Sequence, residues 1–478
     1  MSNTEGAAAS AAPTAAARPA RAIRPAPQAP TDLTLGFIDE VNVRALSAAT
    51  AEPEWLLADR LAGLTAFDAL PVETNQLYTP YVDLRNAKLA DVRPVPPTGR
   101  ANGDCDELPE GAAALAQIDE DGVCTIAMSD EARSAGLVLE SLARTRERDP
   151  ELFRSLLEGG CALPENDKLA QMTRALWSDG VLLHVPNGVR LEKPVVLRWT
   201  VGRPGTALLA RTIVSLGDDA EVSVLEEQLA GEDAAVATTD APQAFYAGTT
   251  EIKIGQGSNL AFAGLQDLGL NQVAFQHRSA VVSKGSTIRW ALAQLGCRVV
   301  RSRIDNRLEG DGSSVEQAEI IFGSQDQLFD LTSYTRHVGR DTTGNLLSKG
   351  ALADKSRAYM KGLATIDMPA HGTDSYLGEF GMLLSRQARS VAIPSLEIDQ
   401  PDCRRVAHAS SVGPIDESQL FYLQSRGLTL EEARKFIVLG YLEPVVARVP
   451  LESAREHLRE LLEAKWEARS GRPAASVA

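Results

Sequence analysis

Thiol and metal chemistry needs a few residue types, and this chain is sparing with them: six histidines and five cysteines in 478 residues. The cysteines Cys105, Cys124, Cys161, Cys297 and Cys403 are scattered and odd in number. That argues against a disulfide framework and fits a reducing compartment. No CxxC or CxxH pairing occurs, so a self-contained structural zinc site is not expected. HExxH, GxSxG and GxxxxGK[ST] are absent too, and the glycine-bearing turns do not open helices as a dinucleotide site requires. The histidines must then be read one at a time. His457 lies between charges in a C-terminal helix and reads as solvated; His184, in the apolar "VLLHVP", reads as core. His277 and His371 have no ligand-spaced partner, and His337, in "SYTRHVGRDTT", reads as structural. His408 differs in position. It ends a strand-like region just before a helix, flanked by Ala407, Ala409, Ser410 and Ser411, which leave room for another surface. Spacing alone leaves a structural role and a ligand role open. A neutral imidazole suits iron and other borderline metals, and a lone one would need a partner's residues to complete the set.

The elements that must position such a residue fall into three textures. From about Leu35 to Leu70 and again over residues 129–178 the pattern is helical, with Leu57, Leu61 and Leu64 at helical steps and Ser129 opening "SDEARS". From "LWSDGVLLHVPNGVRLEKPVVL" to about Gly413, short apolar runs alternate with turns. Turns at "GQGS" 255, "KGS" 284, "GDGS" 310 and "GRDT" 339 recur at about 26 to 29 residues. A fixed period of this length favours a solenoid over a β-sandwich, since each coil buries its inward side chains only against its neighbours. Val214, Leu216, Val222, Val224, Ile252, Ile254, Leu260 and Phe262 are the expected inward positions. After Gly413 the period returns to helix. Asp416 and Gln419 with Gly427, then Thr429 and Glu432 with Gly440, mark the starts and stops of two helices, and a third begins at Pro450. The expected division is a disordered Ala/Pro-rich tail (1–32), a helical region (33–174), a parallel β-helix core (175–413), a C-terminal helical domain (414–470) and a tail (471–478).

Composition narrows the function. The net charge of −16 and the lack of clustered Lys and Arg make nucleic acid a poor partner. No run of about 18 apolar residues predicts a membrane span. The first thirty residues lack the apolar centre of a secretory signal. They share an Arg-rich, acid-poor bias with organelle transit peptides, but the reading taken is a cytoplasmic tail.

The segment "PSLEIDQPDCRRVAHASSVGPIDESQLFYLQSRGLTLEEARKFIVLGYLEPVV" resembles the C-terminal part of the SufB/SufD family, the iron–sulfur cluster assembly proteins of the SUF system. Pro394, Leu396, Glu397, Ile398, His408, Gly413, Gln419, Leu420, Phe421, Tyr422, Arg426 and Gly427 carry the match. "HVGRDTTGNLLSKGALADKSRAYMKGLATI" and the "LWSDGVLLHVPNGVRLEKPVVL" entry look like further family segments, so the likeness runs from about Trp177 to Val446. Counting back from Pro394 puts Glu379 where the SufB branch has a persulfide-accepting cysteine, and Ala409 follows the histidine where that branch often has an acid. Both departures point to the SufD branch. Val406 departs the other way, since some of that branch have a cysteine there; Cys403 is not put in its place.

The resemblance implies a right-handed parallel β-helix between helical regions, and no catalytic turnover. It implies pairing with a SufB-like subunit through the β-helix and docking of a SufC-like ATPase on the C-terminal helices, with Gln419, Leu420, Phe421, Tyr422, Arg426 and Phe436 as the contact set. His408 would help hold a nascent iron–sulfur cluster across the SufB interface, with no tightly bound cofactor in the isolated chain. A homodimer is an alternative when the β-helix edge is uncovered. A purely structural adaptor and a β-helix enzyme acting on polysaccharide are the competing readings.

Overall fold

A computed structural model describes residues 33–95, 108–159, 163–231, 241–449 and 451–469. The tails expected at 1–32 and 471–478, Cys105, Cys161 and the helix start expected at Pro450 lie outside these residues.

The N-terminal region contributes helices α1 (Glu40–Ala49), α2 (Glu54–Ala69), α3 (Asp130–Ser134), α4 (Leu142–Arg148), α5 (Pro150–Gly159) and α6 (Lys168–Leu176). It also contributes strands β1 (Arg93–Pro94), β2 (Ala114–Asp119), β3 (Gly122–Met128) and β4 (Val138–Ser141). The continuous helical texture expected over residues 129–178 is therefore broken. Ser129 caps α3 by accepting the Ala132 N–H, but the left-handed Gly136 ends that helix and the chain turns into β4. Sheet pairing overrides local propensity here.

The core is a two-sheet parallel solenoid of about eight turns. One sheet holds β5 (Asp179–Val185), β7 (Thr206–Leu216), β9 (Ala244–Ile254), β11 (Gln272–Val282), β13 (Val299–Leu308), β15 (Leu328–His337), β17 (Arg357–Ile366) and β19 (Arg389–Ile398). The other holds β6 (Val195–Val201), β8 (Glu221–Ala230), β10 (Asn259–Asp267), β12 (Thr287–Gln294), β14 (Ser314–Gly323), β16 (Thr343–Leu352), β18 (Thr373–Leu383) and β20 (Cys403–Pro414). Every expected inward position, from Val214 to Phe262, is buried in the central core.

The repeated turn motif has a steric and a hydrogen-bonding cause. A Cβ on Gly310 would lie 2.0 Å from the Lys284 nitrogen, and one on Gly339 would lie 2.5 Å from Gly310, so at these two turns the coils approach too closely for a side chain. Two or three residues on, a buried hydroxyl recurs: Ser258 Oγ donates to Gly217 O at 2.7 Å and Ser286 Oγ to Gly255 O at 2.6 Å. These bonds satisfy turn carbonyls that the sheets do not reach.

The two outer faces are covered differently. On the odd-numbered sheet, α6 and the segment around residues 72–92 pack over a second apolar cluster. Asp167 caps α6 through the Ala170 N–H and also pairs with Arg303. Glu73 reaches Arg301 at 2.9 Å, beside Lys361 paired with Asp330 at 2.6 Å, and the Tyr78 hydroxyl donates to Gly362 O at 2.8 Å. On the even-numbered sheet, helices α7 (Glu417–Ser425), α8 (Leu430–Val446) and α9 (Glu452–Ala468) lie over the outer face, burying Val438, Leu442, Leu458 and Trp466.

Candidate functional site

Both sheets end on the last coil. At their other ends each sheet finishes in a shorter antiparallel strand: β4 against β5 and β3 against β2. β19 and β20, of 10 and 12 residues, have a hydrogen-bonded neighbour on one side only, and neither contains a fully buried residue. A sheet edge of this length is a template for pairing.

His408 lies on β20, exposed, in register with Leu377 of β18, whose side chain belongs to the central core. Its Nδ1 is 3.0 Å from the carbonyl oxygen of Pro394 on β19. A carbonyl only accepts, so Nδ1 carries a proton, and in the neutral ring the lone pair is then on Nε2. This is the arrangement in which a backbone carbonyl orients a metal-binding imidazole. Among the described residues, no three of His, Cys, Asp and Glu are grouped to hold a metal ion.

One coil inward, Glu379 of β18 is buried, and its Oε2 accepts the Ile393 N–H at 2.7 Å. Burial raises its carboxyl to about 8, against the opposing pull of that bond and of Lys361, so it is neutral at neutral pH. Strict alternation along an extended segment would put Cys403, five residues before His408, on the opposite face, and the structure corrects this. A register shift between Thr373 and Asp374 adds a residue to β20, so Cys403 packs with Ala364 and Ile366 on the same side as Val406. It remains apart from His408 for another reason: five residues of strand span about 16 Å. Burial and Asp402 both raise its thiol, which disfavours the thiolate.

The other histidines sit as structural residues. His337 is buried between Thr342 Oγ1 at 2.8 Å and Ser375 Oγ at 3.2 Å, and burial lowers its pKa to about 4. His277 pairs with Asp305 at 2.7 Å and His371 with Asp402 at 3.4 Å. His184 is half-buried, and burial lowers its pKa. His457 is half-buried on α9, near Glu460 at 4.0 Å.

The second surface is built by α7 and α8. Asp416 caps α7 through the Ser418 N–H, and Thr429 with Glu432 forms the reciprocal capping box of α8. Gly440 does not stop α8, which runs on to Val446 with Pro444 inside it. Burial of Val438, Leu442 and Val445 against the solenoid outweighs the roughly 1 kcal/mol helix cost of the glycine. No residue of α7 is buried. An open cleft of about 510 Å³ brings Gln419, Tyr422 and Phe436 together with Ser418, Leu423, Ile437 and Gly440. Phe421, Tyr422 and Phe436 are 74%, 56% and 66% exposed. Arg426 lies over the Tyr422 ring at 5.3 Å, whereas Leu420 packs into the C-terminal apolar cluster.

Residues 199–441 match the model of the SUF system FeS cluster assembly SufBD core domain, and residues 102–197 match that of the SufBD protein N-terminal region. The likeness thus begins well before Trp177. The chain is 26% identical to the iron–sulfur cluster assembly protein SufD of Bacillus subtilis, over 91% of this chain and all of that one. It is 24% identical to an iron–sulfur cluster assembly SufBD family protein of Staphylococcus aureus, over 88% of this chain and 91% of the relative. Among the described residues, no helix is long and apolar enough to cross a membrane.

Proposed function

The chain belongs to the SufB/SufD family of iron–sulfur cluster assembly proteins, most like SufD, and from that premise we propose that it is a non-catalytic scaffold subunit of a SUF assembly complex in the cytoplasm. It pairs with a SufB-like subunit along the bare last coil and carries a SufC-like ATPase on α7 and α8. The nascent cluster is cargo, held for a time between His408 and a thiolate of the SufB-like partner; imidazole and thiolate are both iron ligands. Dividing the ligands between two chains lets ATP-driven movement open or close the site. The segments drawn from sequence, with a core at 175–413 and a C-terminal domain at 414–470, are the working division for this scheme.

The observation that carries the reading is the His408 imidazole: exposed, on the last strand, with Nδ1 anchored to Pro394 and Nε2 free to bind. The test is anaerobic co-expression with the SufB-like and SufC-like proteins of the same source. Stoichiometric capture of both, with cluster formation lost in His408→Ala while the complex still assembles, is the expected result. An intact complex whose His408→Ala form assembles clusters undiminished would leave a structural adaptor instead. Recovery of neither folded partner would remove the scaffold reading.

A further inference from the structure

We infer that Glu379 is a positioning residue for His408, acting through β19. The functional weight of this inference rests on the ligand reading above, but its geometry stands alone. Glu379 is 1% exposed and extends from β18 across the interior to the opposite sheet. Space for it comes from Gly362 of β17, where a Cβ would stand 2.9 Å from the Glu379 Oε1. Its Oε2 takes the Ile393 N–H at 2.7 Å. In a parallel ladder the backbone donors of β19 that face β17 pair with that strand's carbonyls. Here an acid also reaches one of them, that of Ile393, directly before Pro394.

Pro394 has no N–H of its own. The nearest donor fixing this stretch on its N-terminal side is therefore the one Glu379 holds. The Pro394 carbonyl in turn fixes the His408 Nδ1 at 3.0 Å. The chain of contacts is Glu379, Ile393, Pro394, His408, and its product is a tautomer. A histidine free in water favours the proton on Nε2, the opposite of what a ligand bonding through Nε2 needs. Because Glu379 is neutral, an amide reproduces its acceptor and its charge. Glu379→Gln is thus the conservative variant, and Glu379→Met removes the acceptor while keeping the volume.

The experiment uses the full chain with ring-¹⁵N-labelled histidine, the His408 signal being assigned by its loss in His408→Gln. Long-range ¹H–¹⁵N spectra report which ring nitrogen is protonated. Wild type and Glu379→Gln are expected to hold His408 with Nδ1 protonated, and Glu379→Met to shift it toward Nε2 protonated. Should Glu379→Met fail to fold, Glu379→Ala supplies the same comparison. A folded variant lacking the acceptor whose His408 keeps the wild-type tautomer overturns the inference. In the reconstituted complex, Glu379→Met is expected to lower cluster yield about tenfold, the size typical for removing a group behind a metal ligand, with Glu379→Gln restoring it. A changed tautomer together with unchanged yield in both Glu379→Met and His408→Ala would keep the positioning role and discard the ligand reading.

Discussion

At the scale of single residues, the two histidines that matter are told apart by what their nitrogens touch. Both ring nitrogens of His337 are engaged by hydroxyls in the interior; His408 has one engaged and one free. Burial makes His337 a pH-dependent stabiliser of definite sign. Its folded pKa is lowered to about 4 from 6.5, so between those values the unfolded chain binds the extra proton. Stability attributable to it is full above 6.5 and lost as pH falls through the window, by something on the order of 3 kcal/mol. The thermal midpoint of the isolated chain should therefore drop between pH 6.5 and 4, and His337→Gln, less stable at neutral pH, should show a shallower drop. Equal slopes for the two proteins would discard this account. His408 was legible from its small neighbours and the motif around it. Its anchoring was not, because Pro394 lies 14 residues away and nothing in a sequence says which carbonyl an imidazole will meet. Glu379 could be read only as a departure from a family pattern; its bond to Ile393 needs both sheets in place. Tyr78 and Glu73, which tie the N-terminal segment to Gly362 and Arg301, sit in no motif and gave no signal.

Among elements, the helices whose signals are local were the easiest to place. The caps at Asp416 and Thr429 fall where the sequence puts them, since a cap involves only a few consecutive residues. The end of α8 was misplaced at Gly440 because its cause is burial against another element. The strands β2 to β4 were missed for a like reason: they are short, and β2 and β4 are held by β6 and β5, which come later in the chain, with β3 added to β2. The solenoid was legible because its turns repeat, and the repeat has a cause at each coil. What α7 lacks is more telling than what it has. A helix with no buried residue gains little from its own molecule, and the rings of Phe421, Tyr422 and Phe436 stand in solvent. Phe436→Ala and Tyr422→Ala should leave the thermal midpoint nearly unchanged, because exposed truncations cost little. In pull-down each should weaken capture of the SufC-like ATPase by tenfold or more, about 1.4 kcal/mol or above. Unimpaired capture by the double variant would move the docking surface elsewhere.

For the molecule as a whole, the asymmetry of the two ends decides how it can assemble. The N-terminal end of the solenoid finishes in the short antiparallel β3 and β4, of 7 and 4 residues, whereas β19 and β20 present edges of 10 and 12 residues with no buried residue. An uncovered edge of 12 residues pairs with whatever strand of matching length it meets. Under the proposed function, a second copy of this chain and a SufB-like subunit would compete for this one surface. The isolated chain should accordingly sediment as a concentration-dependent dimer, and titration with the SufB-like subunit should convert it to a one-to-one heterodimer without a larger intermediate. Val412 of β20, 39% exposed, offers a way to block both at once. Val412→Lys places a charge on the pairing edge, where desolvating it unpaired costs several kcal/mol. It should weaken self-association and heterodimer formation together, while leaving the thermal midpoint of the monomer intact. A variant that loses only the homodimer would separate the two interfaces and restrict the bare coil to self-pairing; a chain that stays monomeric and still captures its partner unchanged would show that the partner binds somewhere else.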